Sequence, residues 1–391
     1  MEKKIVRSYL AFTLIFNFFG SFVFPTYILF LRDNGLSFSE VGLVNCAFLL
    51  AVFLFEIPTG VVADYFGRKF SVVLGVFAWA LGAFVYFQSH SIYGFILAEV
   101  ISAFGASCES GAMDAWLKDS LDYHGSKKKI GEIFGNSDVV TRLGWIFGGA
   151  VGGYIGASSL RSPWLISAIG LFVTAIIAIV IFREDYFQKK QFDWQHSWRD
   201  MGGLIRDSVQ YGYREKKIWN LIVMSTFFAI GLQAMNMQWS PFFESKFGIE
   251  NITYVWLGIS GMFMIGSLLA KYLIKREHAE RRILIIALVG LIFFTASSAF
   301  GTNMIFVLVS FLLHEFARGV IGPVQRGYLQ DQITSSDKRA TIGSFQGMVN
   351  RLGGGVGWLA CGFLADYLSI PQVWQISTVF LIVAVYYARR I

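Results

Sequence analysis

Nine ionisable side chains stand inside long apolar stretches of this chain: the acids Glu56, Glu99, Glu109, Asp114, Asp138 and Glu315, and the bases Arg142, Arg318 and Arg351. A charge in such a setting is costly unless it faces a polar cavity or an opposite charge. Six acids against three bases leave three carboxylates unmatched, and unmatched carboxyls shielded from water are suited to taking up and releasing protons. Glu99 and Glu109 are the leading proton carriers, with Asp114, Glu56, Glu315 and the imidazole of His314 as further candidates. Helical spacing sets Asp138 four residues before Arg142 and Glu315 three before Arg318, so each couple can close an ion pair on its own helix. Glu56 precedes Pro58 by two residues, where it serves either coupling or the support of a kinked helix; His314 serves either titration or a structural hydrogen bond.

A second set could hold a ligand. Asn17 and Phe18 lie in the first apolar run, and Gln233, Asn236 and Gln238 alternate with Met235, Met237 and Trp239 further on. Polar amides among aromatics suit a large amphiphilic compound, and the same residues also serve as glue between helices.

The elements that must position these groups are membrane helices. Of 391 residues 55% are hydrophobic and only 15% charged, against roughly 25% charged in a soluble domain. Uncharged runs cover 8–31, 70–98, 143–160, 162–182, 218–243, 251–270, 283–314 and 367–388, and the equally apolar segments 40–63, 92–117, 303–326 and 340–365 carry a few internal charges. Splitting the long runs at Gln88-Ser89-His90 and Gly301-Thr302-Asn303 gives twelve spans, the first too long for a cleaved signal peptide. Twenty-seven of the Lys and Arg residues fall on one side of these spans and only Arg32, Arg161 and Lys246 on the other. That asymmetry places both termini and the 183–217 linker in the cytoplasm of a multi-pass protein of the cell (inner) membrane. The linker, with Trp194, Trp198 and Leu204 among basic residues, reads as an amphipathic surface helix. The basic excess of +7 sits in short inter-span clusters, which argues against a nucleic-acid partner. Cys46, Cys108 and Cys361 lie in apolar runs with no metal-ligand spacing, so no metal is expected.

The chain repeats itself. Arg142-Leu143-Gly144 recurs as Arg351-Leu352-Gly353, an offset of 209, and Trp116-Leu117-Lys118-Asp119 matches Tyr328-Leu329-Gln330-Asp331 at 212. A duplicated six-span half is the economical account: 1–182 and 218–391, joined by the linker. Arg142 and Arg351 then occupy equivalent central positions.

Between predicted spans 2 and 3 runs Gly60-Val61-Val62-Ala63-Asp64-Tyr65-Phe66-Gly67-Arg68-Lys69. This resembles the loop signature of major facilitator superfamily transporters, G-x-x-x-D-[RK]-x-G-R-[RK], with Tyr65 in place of a basic residue. The resemblance implies an all-α membrane fold of twelve transmembrane helices in two pseudo-symmetric halves, each of inverted three-helix repeats. It also implies a cytoplasmic gate of Gly60, Asp64, Gly67, Arg68 and Lys69, with Arg68 reaching Asp119 and Asp64 meeting the start of span 11 near Arg339. Gly60 would allow close helix approach and Gly67 a tight turn.

Span 5 contains Gly144, Gly148, Gly149, Gly152 and Gly153, similar to the fifth-span signature of the drug:proton antiporter branch, G-x-x-x-G-P-x-x-G-G, with Gly149 in place of proline. Generic close packing explains the same spacing. The arginine expected in span 4 is absent, Ile101 standing four residues before Gly105. The implied function is proton-coupled efflux of lipophilic drug-like compounds by alternating access; the alternative on the same fold is uptake of a metabolite, or lipid flipping. The implied partners are a small-molecule substrate, protons and the bilayer, with a monomeric state and no cofactor. No nucleotide-binding glycine loop, zinc-binding helix or hydrolase elbow occurs, so an enzyme is not expected.

Overall fold

The computed structural model describes residues 1–126, 128, 130–187, 215–274, 279–333 and 336–391, with the backbone alone at 57 and 336–341. The predicted linker helix therefore lies outside the described residues, as does the side chain of Arg339. Every regular element among the described residues is helical. Those of the first part of the chain are α1 (Glu2–Gly20), α2 (Tyr27–Asp33), α3 (Phe38–Phe66), α4 (Arg68–Gln88), α5 (Ile92–Tyr123), α6 (Ile130–Ser158) and α7 (Ser162–Ile181). The second part contributes α8 (Lys216–Phe247), α9 (Ile252–Leu273), α10 (Glu280–Phe300), α11 (Met304–Gln332), α12 (Ser336–Tyr367) and α13 (Ile370–Ala388).

Among the described residues ten helices are long and apolar enough to cross a membrane, the first running through Glu2–Asp33. Two further long helices, α6 and α12, coincide with predicted spans 5 and 11 but fall outside that set. Their eight and seven glycines and their internal charges dilute the apolar character of windows that are otherwise helical. The predicted count of twelve thus meets ten strongly apolar helices among the described residues.

The first span is not one helix. After Gly20 the chain takes a 3₁₀ turn at Ser21–Val23 and restarts at Tyr27. Pro25 stands in this break, where its missing N–H costs no helical hydrogen bond. Pro58, by contrast, is accommodated inside α3, and the Thr59 hydroxyl donates to the Phe55 carbonyl at 2.8 Å.

The chain divides into two compact units. Unit 1 holds 1–36, 47–193 and 247–256; its core gathers Tyr9, Phe12, Val72, Trp116, Leu171 and Phe182. Unit 2 holds 37–46, 194–246 and 257–391, around Leu221, Leu288, Ile321 and Leu381. Within unit 1, α4 packs against α5 and α7; within unit 2, the helices six spans on do the same, α10 against α11 and α13.

The repeat extends to individual contacts. Gly144 of α6 lies against Asn17 of α1, and Gly353 of α12 against Thr226 of α8, each residue of the second pair standing 209 positions beyond its counterpart. Gly148 meets the Phe18–Ser21 stretch as Gly357 meets Ile230. Small residues on one face let backbones approach closely, which in an apolar solvent is the main source of helix association.

Candidate functional site

Glu99 is the most enclosed of the unmatched acids. It sits on α5, 8% exposed, and its Oε1 accepts hydrogen bonds from the hydroxyls of Tyr27 at 2.7 Å and Tyr86 at 2.5 Å. The two phenols are 3.1 Å apart. Trp164 of α7 stacks on Tyr86 with ring centroids 3.9 Å apart and an angle of 16°, and Phe95 stacks on the same ring at 5.5 Å. Four helices thus build one carboxyl-diphenol cage, and α2 is able to deliver Tyr27 because the first span breaks before it. Among the described residues no cation pairs with Glu99. The nearby Arg161 guanidinium is engaged by Asn34, the Phe87 and Ser89 carbonyls and the ring of His90, and lies over Phe30.

A second acidic group is looser. Tyr9 donates to Asp114 Oδ1 at 2.9 Å and accepts from Ser137 at 3.3 Å. Glu109 and Asp138 both lie close enough to Asp114 to interact with it electrostatically. Asp114 and Asp138 are exposed at the surface of unit 1, and Glu109 and Arg142 are half-buried. Glu56, near Pro58, is likewise half-buried, and Phe18 packs its ring edge-on against Phe19 and Phe22. Asn17 accepts from Trp145 Nε1 at 2.9 Å.

In unit 2 two sequence-predicted sets merge. Arg318 Nη1 lies 3.3 Å from Glu315 Oε2, as the spacing allows, and also donates to Asn236 Oδ1 at 2.9 Å. Asn236 in turn donates to Gln233 Oε1 at 3.0 Å. His314, fully buried beside Phe311, shares a 2.9 Å hydrogen bond with Thr295, and its Nε2 faces Glu315 at 3.6 Å. The amides Gln233 and Asn236 are therefore already tied to the charged pair. Gln238 is elsewhere: fully buried, with neither amide atom bonded to a described residue, on the same helix as the buried Trp239. Arg351, on α12, is half-buried.

At the α3–α4 turn Gly67 adopts φ +99°, a conformation only glycine takes without strain. Arg68 pairs with Asp64 at 2.7 Å and lies 3.8 Å from Asp119, while Lys69 joins through its backbone. At Gly60 no described atom lies within 4 Å of a Cβ built there. A residue the sequence did not flag completes the turn. Glu184, just beyond α7, accepts the backbone N–H groups of Arg68 at 2.7 Å and Lys69 at 3.0 Å, so the free donors at the start of α4 hold a carboxylate. Its place in the supposed linker gave no signal, because its partners are backbone groups.

Burial pushes the Glu184 carboxyl above its ordinary value, more than the Arg68 and Lys69 amides lower it. The folded protein then binds this proton more tightly than the unfolded chain, so the contribution of Glu184 to stability falls as pH rises through the interval from 4.5 to the raised value. Glu184→Gln is expected to flatten that segment of a melting-temperature profile against pH; an unchanged profile would contradict the assignment.

In α6 the five glycines divide between two faces. Gly144, Gly148 and Gly152 lie under Asn17, Phe18 and Phe22, and Gly149 and Gly153 face Trp256 and Thr253 in the 247–256 segment of unit 1. Trp256 Nε1 also donates to the Trp145 carbonyl at 3.2 Å.

Fold and buried charges together define an all-helical, multi-spanning membrane protein. Residues 10–357 and 265–390 match the Major Facilitator Superfamily, and the chain belongs to that family. It is 23% identical over 59% of its length to the uncharacterized MFS-type transporter YxaM of Bacillus subtilis (strain 168), covering 57% of that protein. It is 28% identical over 46% of its length to the quinolone resistance protein NorA of Staphylococcus aureus, covering 46% of it. The chain thus spans about half the length of the curated relatives it matches. A mutant form of the nucleoside transporter NupG shares the fold, with TM-score 0.80 and 16% identity over 99% of this chain and 98% of that one.

Proposed function

We propose that this chain is a secondary active transporter that works by alternating access and couples the export of lipophilic drug-like compounds to proton entry. It crosses the membrane twelve times as two pseudo-symmetric halves, 1–182 and 218–391, acts as a monomer, and keeps both termini and the 183–217 linker on the cytoplasmic side. The observation that carries the coupling is the cage around Glu99: a carboxyl enclosed by aromatic rings, bonded to two phenols and paired with no described cation. Such a group is neutral in one conformation and ionised in another only if a proton comes and goes, which is what a proton-driven cycle requires. Glu315 is equally buried but neutralised by Arg318, and we assign that pair, with Asn236 and Gln233, to the substrate path. The likeness to NorA, a protein named for quinolone resistance, supports the export of drug-like molecules.

The Asp64–Arg68–Asp119 cluster acts as the cytoplasmic latch. Exposed ion pairs contribute little to stability, roughly 0–1 kcal/mol, so Asp64→Asn is expected to leave protein yield unchanged while slowing transport; wild-type rates in that variant would remove the latch. The export reading itself is tested by accumulation of a fluorescent lipophilic cation in intact cells. Energised cells making the protein are expected to hold less dye than controls, and a protonophore to abolish the difference. Higher accumulation in the energised cells would reverse the direction.

A further inference from the structure

Unit 2 has a groove of about 830 Å³ between α9, α10 and α11. It is open along one side, where Leu269 and Ile286 are 37% and 64% exposed. The hollow exists because Gly290, Ala287 and Ala317 supply almost no side chain between the larger walls of Phe294, Phe316 and Val320. Among the described residues that line it, Arg282, exposed near the start of α10, is the one charged residue.

From this we infer a seat for one anionic phospholipid, with its headgroup on Arg282 and its acyl chains along α10. Three observations converge on that occupant. The wall is apolar and opens sideways on helices that cross the membrane, so hydrocarbon fills it. From Arg282 to Phe294 the groove runs twelve residues, ~18 Å at 1.5 Å per residue, close to half of a hydrocarbon core of roughly 30 Å. The one charge among its described lining residues is positive and lies at the end where the basic clusters of the chain collect, next to Arg281, and a basic pocket between helices on that side suits an anionic headgroup. A zwitterionic lipid would gain the apolar contacts without the charge, and a shallow ring lipid would gain neither. This seat goes beyond the transport reading and involves none of the residues assigned to it.

The test uses the full chain, purified in mild detergent from membranes of phosphatidylglycerol and phosphatidylethanolamine, with retained phospholipid per protein read by mass spectrometry. The wild type is expected to retain phosphatidylglycerol in excess of its share of the membrane. Arg282→Gln should retain roughly fivefold less of it, the loss of one basic contact at the membrane surface. Gly290→Leu fills the groove, and its Cβ meets only Phe294 at an ordinary 3.7 Å, so the helix tolerates it; this variant should lose both lipids from the seat. Equal retention by all three proteins, or wild-type lipid in the proportions of the membrane, would overturn the proposal. So would loss in Gly290→Leu alone, which would mean an occupant chosen without its headgroup. For a variant that does not purify intact, the wild type decides: its melting temperature should rise with added phosphatidylglycerol and not with phosphatidylethanolamine, and an equal rise with both would refute the seat. Because retention is read without transport, failure here is separable from failure of the export reading.

Discussion

Leucine at Gly152 is expected to leave almost no folded protein. A Cβ built at this position overlaps the Phe22 carbonyl oxygen, Cα and carbonyl carbon, and the same construction at Gly148 overlaps the Phe18 carbonyl. Backbone atoms have no rotamer to retreat into, so α6 must move away from the broken first span. Overpacking of a core costs roughly 1–3 kcal/mol and more where the neighbour cannot give, and the displaced helix would also lose contacts along Gly144 and Gly156. Gly149→Ala should cost less, because what it meets is the Trp256 side chain. Gly135→Ala, with no described atom within 4 Å, should be neutral or stabilising by about 0.5–1 kcal/mol. The measurement is monodisperse yield and melting temperature in detergent. A Gly152→Leu protein that melts like the wild type would show that this interface is not as close as described.

Glu99→Gln is expected to separate coupling from folding. Glutamine is isosteric and keeps a carbonyl oxygen for Tyr27 and Tyr86, so the cage should stand. What is lost is the proton. Accumulation driven by a pH gradient should fall to the level of vesicles lacking the protein, while substrate exchange at zero gradient persists. Glu99→Ala should behave differently: both phenols lose their carboxylate acceptor at a buried site, at about 1–3 kcal/mol for each donor left without a partner, and yield should drop with activity. Gradient-driven transport by Glu99→Gln at the wild-type rate would move the coupling role to the Glu109–Asp114 group, where Tyr9 offers a similar phenol.

Much of this architecture was legible in the chain because the bilayer imposes it. Uncharged runs marked where helices cross, and the positions of Lys and Arg argued for their direction. The 209-residue offset between Gly144 and Gly353 carried through to their packing partners, Asn17 and Thr226, since equivalent small residues must meet equivalent neighbours. Spacing on one helix was informative too, and Glu315 and Arg318 pair as three-residue spacing allows. What stayed hidden depended on contacts between helices or on backbone groups. Hydropathy over the uncharged run 8–31 does not register that its helix stops at Gly20 and restarts at Tyr27; the sign lay in Pro25, which an apolar count passes over. The tyrosines around Glu99 come from α2 and α4, and no periodicity within α5 names them. Asn236 and Arg318 were read as parts of separate groups, since 82 positions of sequence separate two residues bonded to each other. Glu184 was passed over because the N–H groups it binds carry no residue type.

The central claim is that protons and substrate move in opposite directions through one protein. It is tested most directly by a pH-sensitive dye in energised everted vesicles, challenged with a panel of lipophilic cationic and zwitterionic compounds. The account predicts that some compounds collapse the gradient in wild-type vesicles, and that they leave it intact in vesicles lacking the protein and in those carrying Glu99→Gln. Compound movement by the wild-type protein that proceeds at the same rate with and without a pH gradient, and shifts no protons, would contradict it.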